Sequence, residues 1–155
     1  VNYNRREFIE TLAIGSGGAL LAMSGLNVAH AVELPADDGR FSGKSVDEVL
    51  SAIGAQGAQQ SGDITIKAPE IASNGSMVSV TITSNVPGTE YIALIADNNP
   101  HPLIAEYFYS KKVQPYVSTR IKMAKTSQVR AVIKASGQYY YASQEVKVTI
   151  GGCGG

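Results

Sequence analysis

The chain has no tryptophan, one cysteine, two histidines and, between Glu106 and Glu145, no acidic residue. Each shortage excludes something. A single cysteine cannot close a disulfide within the chain, so packing alone must hold the fold. It also rules out a Cys-x-x-Cys redox motif and any zinc set built on cysteine pairs. Without tryptophan and a second cysteine, the Cys–Trp–Cys pattern of antibody domains is absent. His30 lies in a segment read below as removed, which leaves His101, between Pro100 and Pro102, as the histidine of the mature chain. No glycine-rich loop opens a helix as nucleotide sites require. Asp37 and Asp38 are too isolated to make a calcium site. The sequence thus predicts no catalytic constellation, no metal site and no cofactor. The formal net charge is +0, which removes bulk attraction to nucleic acid or an anionic membrane.

Charge order says more than charge total. Lys111, Lys112, Arg120, Lys122, Lys125, Arg130 and Lys134 all fall in the stretch without acids. One reading is basic residues on the solvent faces and edges of strands, where lysine discourages unwanted pairing. The other is a positive surface for an acidic partner or an anionic substrate. The two are compatible.

The N-terminal segment reads as an export signal. Arg5-Arg6 forms a twin-arginine pattern, followed by a moderately apolar stretch rich in Gly, Ser and Ala, and Ala29-His30-Ala31 is a small-x-small cleavage site. The uncharged run is long enough to span a bilayer. Its glycines and serines make a weak membrane helix, and the cleavage motif ends it where an anchor would continue into a charged flank. Residues 1–31 are therefore expected to be removed, with the mature chain beginning near Val32. The remainder suits one domain with one core.

Residues 32–62 read as an irregular lead-in with one short helix. Ser45 and Glu48 have the spacing of a capping box in which Glu48 returns to the amide of Ser45. Val46, Val49, Leu50 and Ile53 form an apolar stripe, and Gly54 ends it. The helix is expected to lid one end of the core. From Asp63 the period becomes two. Alternation marks Ile64–Ile66, Val78–Thr83, Val117–Met123, Val129–Ile133 and Tyr139–Ile150, and Leu103–Tyr109 also has strand chemistry. Tyr91–Ala96 is almost wholly apolar, as a central strand covered on both faces would be. Asn74-Gly75, Pro87-Gly88, Asp97–Pro102 and Ser136-Gly137 separate these runs as turns and loops. About seven short antiparallel strands over residues 63–150 predict an all-β, immunoglobulin-like sandwich, with a small barrel as the other solution. Tyr139-Tyr140-Tyr141 must place rings on both faces of a sheet, at least one of them outward. With Phe108, Tyr107, Tyr109 and Tyr116 they could cover an exposed edge or anchor a protein interface.

The cysteine is the second-to-none oddity of composition: Cys153 stands in Gly151-Gly152-Cys153-Gly154-Gly155, directly after the strand-like Glu145–Ile150. Residues 151–155 read as a thiol on a short flexible arm, since glycine has the greatest backbone freedom. Fully stretched, the run reaches roughly 15 Å. A terminal cysteine could also be incidental, or could cross-link two chains. Pairing with His101 as a nucleophile–base couple is disfavoured, because such a thiol must be held within a fraction of an ångström.

The tail and the strand before it resemble the substrate-carrying arm of the SoxY family, the thiol-bearing subunits of the SoxYZ sulfur carrier. The twin-arginine signal is similar too. So is the stretch Thr89-Glu90-Tyr91-Ile92-Ala93-Leu94-Ile95-Ala96-Asp97-Asn98-Asn99-Pro100, continuing into Pro102-Leu103-Ile104-Ala105. The resemblance covers essentially the whole chain. It implies a periplasmic protein paired with SoxZ, carrying intermediates of thiosulfate oxidation covalently on Cys153. It further implies that a cytochrome pair, SoxAX, joins thiosulfate to the thiol, and that a hydrolase, SoxB, releases sulfate. Where present, a molybdenum enzyme, SoxCD, oxidises the remaining sulfur. The carrier itself would catalyse none of these steps.

Overall fold

A computed structural model of the chain describes residues 39–110 and 113–150. The chain divides into two units, Val1–Ala31 and Val32–Gly155, and every described residue belongs to the second.

Among the described residues the first regular elements are a 3-10 turn at Arg40–Ser42 and one helix, α1, at Val46–Ala52. Ser45 caps α1, its Oγ accepting the Glu48 N–H at 3.2 Å. Glu48 reaches back as the capping box requires, but its Oε2 accepts the N–H of Lys44 at 2.8 Å, one residue before the expected amide. The helix stops because Gly54 adopts φ +70, and the following Ala55 N–H returns to the Leu50 carbonyl at 2.8 Å. That left-handed closure satisfies a carbonyl that the helix would otherwise leave open. Ser45→Ala is expected to lower the melting temperature slightly, by the loss of about 1 kcal/mol typical of a cap. Thermal unfolding followed by circular dichroism checks it, and no change would mean that α1 is held by its packing alone.

Nine strands follow: β1 Gln59–Gln60, β2 Ile64–Lys67, β3 Ile71–Ala72, β4 Val78–Ser84, β5 Thr89–Ala96, β6 Leu103–Phe108, β7 Tyr116–Ile121, β8 Ser127–Ala135 and β9 Gln138–Val148. The seven stretches with strand chemistry all form strands. The expected count of about seven omits β1 and β3, which are too short to show any alternation. These two pair with β9 in parallel, so the pairing is not purely antiparallel. The larger sheet runs β1-β9-β8-β5-β6, with β3 also on β9, and the smaller runs β2-β4-β7. Between β8 and β9 the chain reverses through Ser136 and Gly137, both with positive φ, while Ala135 pairs with Gln138. A two-residue turn of this kind matches the twist of the strands it joins.

The two sheets face each other across one apolar layer. Val78, Val80, Ile82, Val117 and Ile121 of the smaller sheet meet Ile92, Leu94, Val129, Ala131 and Ile133 of the larger. Alternation sends Tyr91, Ala93 and Ile95 to the other face of β5, where they join Val49 and Ile53 of the α1 region in a second cluster with Leu103 and Val132. This explains the unbroken apolar run of β5, which is covered on both sides. It also corrects the expected place of α1: the helix covers the outer face of the larger sheet and does not lid the end of the intersheet core. Ser84, Thr89 and Ser127 are the buried polar residues among those described, and the first two form a hydroxyl pair. Ser84 Oγ lies 2.8 Å from Thr89 Oγ1, which bonds the Val86 carbonyl at 2.7 Å. Among the described residues no buried side-chain polar atom lacks a partner.

Candidate functional site: the root of the arm

Cys153 and the glycines Gly151, Gly152, Gly154 and Gly155 lie outside the described residues, as do Arg5, Arg6, Ala29 and Ala31. What the structure describes is the place from which the arm departs. The last turn of chain before Gly151 is held by backbone bonds on one side. Lys147 N–H donates to the Glu70 carbonyl at 2.9 Å, and Thr149 N–H to the Ala72 carbonyl at 3.1 Å. Thr149 Oγ1 donates to the Ser73 carbonyl at 3.0 Å, and Gly75 N–H to the Ile150 carbonyl at 2.8 Å. The Asn74-Gly75 turn that makes this possible is set by Asn74 Oδ1, which accepts the Ser76 N–H at 2.8 Å. On the other side Val148 N–H donates to Thr126 Oγ1 at 2.9 Å. The backbone is therefore held in place up to Ile150.

The Asp97–Pro100 loop braces that second side. Asn98 Nδ2 donates to the Thr126 carbonyl and Asn99 Nδ2 to the Lys122 carbonyl, both at 2.8 Å, while Asn99 Oδ1 accepts the Ala124 N–H at 2.9 Å. Asp97 holds the Arg130 guanidinium with both oxygens, at 2.6 and 3.2 Å. This forked pair raises the Arg130 pKa above its usual value. Short amides that bond nearby backbone are the reason such residues order loops. The loop that carried part of the family resemblance thus positions the segment that flanks the arm's root. Sequence reasoning missed Glu70, Ala72, Thr126 and Thr149 as parts of this clamp. Only the Asn74-Gly75 turn signalled it.

A second polar network lies elsewhere. Glu106 Oε1 accepts the Tyr91 hydroxyl at 2.6 Å and pairs with Arg40 Nη1 at 3.0 Å, tying the lead-in to β6. Burial first, and then the bond to Glu106, push the Tyr91 phenol well above the ordinary tyrosine range. This network borders an open cavity of about 420 Å³ that also includes Phe108, Lys134 and Tyr139. Tyr139, the second residue of β9, lies at the opposite end of that strand from Ile150, and an eleven-residue strand spans roughly 35 Å.

The tyrosine expectation divides. Tyr140 packs toward the intersheet layer and Tyr139 and Tyr141 toward α1, so the rings do occupy both faces. Tyr139 and Tyr141 are half-buried beside α1 on that face, and the Tyr139 hydroxyl donates to the Ile53 carbonyl at 2.8 Å. Phe108 stacks against Tyr91 with ring centres 5.2 Å apart. Tyr116 and Val113 remain exposed, with Tyr109 bonded to the Tyr116 carbonyl at 3.0 Å. The basic stretch also divides. Arg130 is paired and lies over Tyr141, and Lys134 lies over Tyr139 near Glu90. Arg120, Lys122 and Lys125 face solvent, whereas Lys111 and Lys112 lie outside the described residues. His101 is exposed in the loop between β5 and β6. Among the described residues no group of three acidic, histidine or cysteine side chains could hold a metal, and no helix is long and apolar enough to cross a membrane.

Comparison with known proteins adds an independent finding. The model of a family described as sulfur oxidation protein SoxY matches residues 50–153. A solved structure, the sulfur carrier protein SoxY from Chlorobium limicola f thiosulfatophilum, is 40% identical with a TM-score of 0.61. The likeness covers 67% of this chain and 94% of that one. No match is found among curated protein sequences.

Proposed function

We propose that this chain, which belongs to the SoxY family of sulfur oxidation proteins, holds sulfur intermediates covalently on Cys153 and presents them to separate enzymes. Family membership makes it a sulfur carrier and not the enzyme that transforms the cargo. The observation that supports covalent carriage is the placement of the only cysteine in the sequence: among glycines, beyond a strand end clamped up to Ile150.

The chemistry follows from an exposed thiol. Its pKa starts near 8.5, and the sulfur joins other species as the thiolate. Glycine neighbours supply no cation to activate it, so activation falls to the enzyme that takes it in. Oxidative joining forms a sulfur–sulfur bond between the thiolate and thiosulfate, and the electron pair goes to the cytochrome partner, SoxAX. Hydrolysis by SoxB then releases sulfate and leaves the inner sulfur on Cys153 for SoxCD where that enzyme exists. Residues without side chains on both sides of Cys153 make a narrow thread that a thin tunnel admits.

The same reading takes residues 1–31 as a twin-arginine signal cleaved after Ala31, residues 32–62 as the lead-in and 151–155 as the arm, with the protein working in the periplasm beside SoxZ. We assign residues 63–150 to an immunoglobulin-like sandwich, supported by two sheets sharing one apolar layer. Tyr116 and Val113 suit the SoxZ interface, since interface cores favour tyrosine over lysine. The test is the intact mass of the carrier complex purified without reductant, before and after incubation with thiosulfate and the cytochrome partner. Gain of a thiosulfate-derived group on Cys153 is expected. A stable disulfide dimer without any small adduct would instead make the cysteine a cross-link.

A further inference from the structure

A sheet edge offers a row of unpaired N–H and C=O groups, and proteins blunt such edges with short strands, lysine, proline or bulges. The edges of this domain are treated unequally. One side of the larger sheet ends in β1 and β3, of two residues each. The smaller sheet ends in β2, with the exposed Lys67, and in β7, with the exposed Arg120. The other side of the larger sheet ends in β6, six residues with no lysine, arginine or proline. Its one charge, Glu106, is buried and held by Arg40 and Tyr91. A bulge at Ile104, between the pairs Leu94–Ala105 and Ile95–Leu103, blunts only the first end of the strand.

The ladder fixes which groups are open. Tyr109 N–H donates to the Glu90 carbonyl at 2.9 Å, so the bonded pairs of β5 with β6 fall at Tyr109, Tyr107 and Ala105. Glu106 and Phe108, which alternate with them, turn N–H and C=O away from β5. Among the described residues no backbone group bonds them there. Their side chains stand on the outer face, opposite Ala93 and Tyr91. Phe108 is also a wall of the open cavity of about 420 Å³, with Tyr91, Tyr109 and Tyr139. The charges around that cavity are matched within the chain, Arg40 with Glu106 and Lys134 with Glu90.

We propose that the Glu106–Phe108 edge of β6 is completed by an extended segment of the partner subunit, which adds a strand to the larger sheet and places an uncharged side chain in this cavity. This rests on the carrier-complex reading and names the surface by which its subunits join. In strand addition the backbone bonds give affinity, and a pocket beside the edge gives selectivity. Aromatic walls favour an apolar group, and a charged one would find no unmatched counter-charge. The exposed Tyr116 stands at the Phe108 end of the edge, since its carbonyl accepts the Tyr109 hydroxyl at 3.0 Å. A second copy of this chain fits the edge poorly. Two antiparallel registers overlap nearly the whole of β6 with itself. The one centred on Glu106 sets two carboxylates opposite each other. The one centred on Ala105 sets Phe108 against Pro102, which has no N–H to donate.

The test is amide hydrogen exchange, read residue by residue by NMR, on the carrier chain alone and in complex with its partner subunit. The Glu106 and Phe108 amides are expected to exchange at least about tenfold more slowly in the complex, as one new hydrogen bond each would cause. The Ala105 and Tyr107 amides, already bonded to β5, should be slow in both. Unchanged exchange at Glu106 and Phe108 overturns the proposal. So does slowing that grows with the concentration of the carrier alone, which would give the edge to a second copy. Phe108→Ala and Phe108→Pro divide ring from backbone. Alanine removes the ring, and proline removes the outward N–H as well, at an edge position where no ladder bond is lost. The Kd for the partner subunit should rise about tenfold with alanine and about a hundredfold with proline. Equal rises would leave the backbone no part in pairing and would also overturn the proposal. If the proline variant fails to fold, the exchange comparison on the unaltered chain decides. The thiosulfate-derived adduct on Cys153 is measured on the same complex. No adduct with protected Glu106 and Phe108 defeats the carrier reading alone, and an adduct without protection defeats only the strand inference.

Discussion

Cys153→Ser is expected to abolish sulfate release from the loaded carrier and to leave the melting temperature unchanged. The functional loss is complete because a hydroxyl cannot hold sulfur through a reducible sulfur–sulfur bond. The structural effect is nil because the large costs of substitution come from cavities, lost networks or strain. Cys153 stands among glycines, and its neighbours Gly152 and Gly154 have no side chains to pack against it. Sulfate production with purified partner enzymes, measured beside thermal unfolding, checks both halves. Residual turnover in the serine variant would move the attachment point elsewhere. No second cysteine exists to take the role, so the covalent mechanism itself would then be wrong.

Leu94→Ala should be the most damaging single change to the fold. Leu94 is 0% exposed on β5, which is paired on both sides, and it points into the layer between the sheets. Deleting a buried leucine side chain removes its transfer energy and leaves a cavity that close-packed neighbours fill only in part, a loss of about 3–4 kcal/mol. For a domain of this size that lowers the melting temperature by roughly 10–20 °C. Ile150→Ala is the matched control, with little expected effect, because that side chain already faces water. Thermal and urea unfolding of the two variants provide the comparison. A shift of only a few degrees for Leu94→Ala would mean that the two sheets close over the gap.

Much of the fold was legible because its signals are local. Ile92 and Leu94 against Ala93 and Ile95 form one apolar run only if both faces are covered, and the structure covers them with the smaller sheet and with α1. Ser45, Gly54 and Ser136-Gly137 act through bonds and dihedrals a few residues apart, so they could be found from spacing. The side that α1 covers could not. An apolar stripe states that a helix must be buried, not against what, and Val49 met the outer face of β5 and β8. For the same reason nothing in the sequence showed that Tyr139 and Tyr141 share their face with α1.

The sequence by itself determined the alternating strands, the caps and turns, and the isolation of one thiol among glycines, because each is a property of neighbouring residues. Tertiary structure alone decided that β1 and β3 would lie parallel to β9, since two residues carry no period to read. It also decided that Glu70, Ala72, Ser73 and Gly75 would clamp the chain from Lys147 to Ile150. These residues are some 75 positions from their partners in the chain. Their meeting depends on how two facing sheets route the connecting segments, which no local pattern encodes.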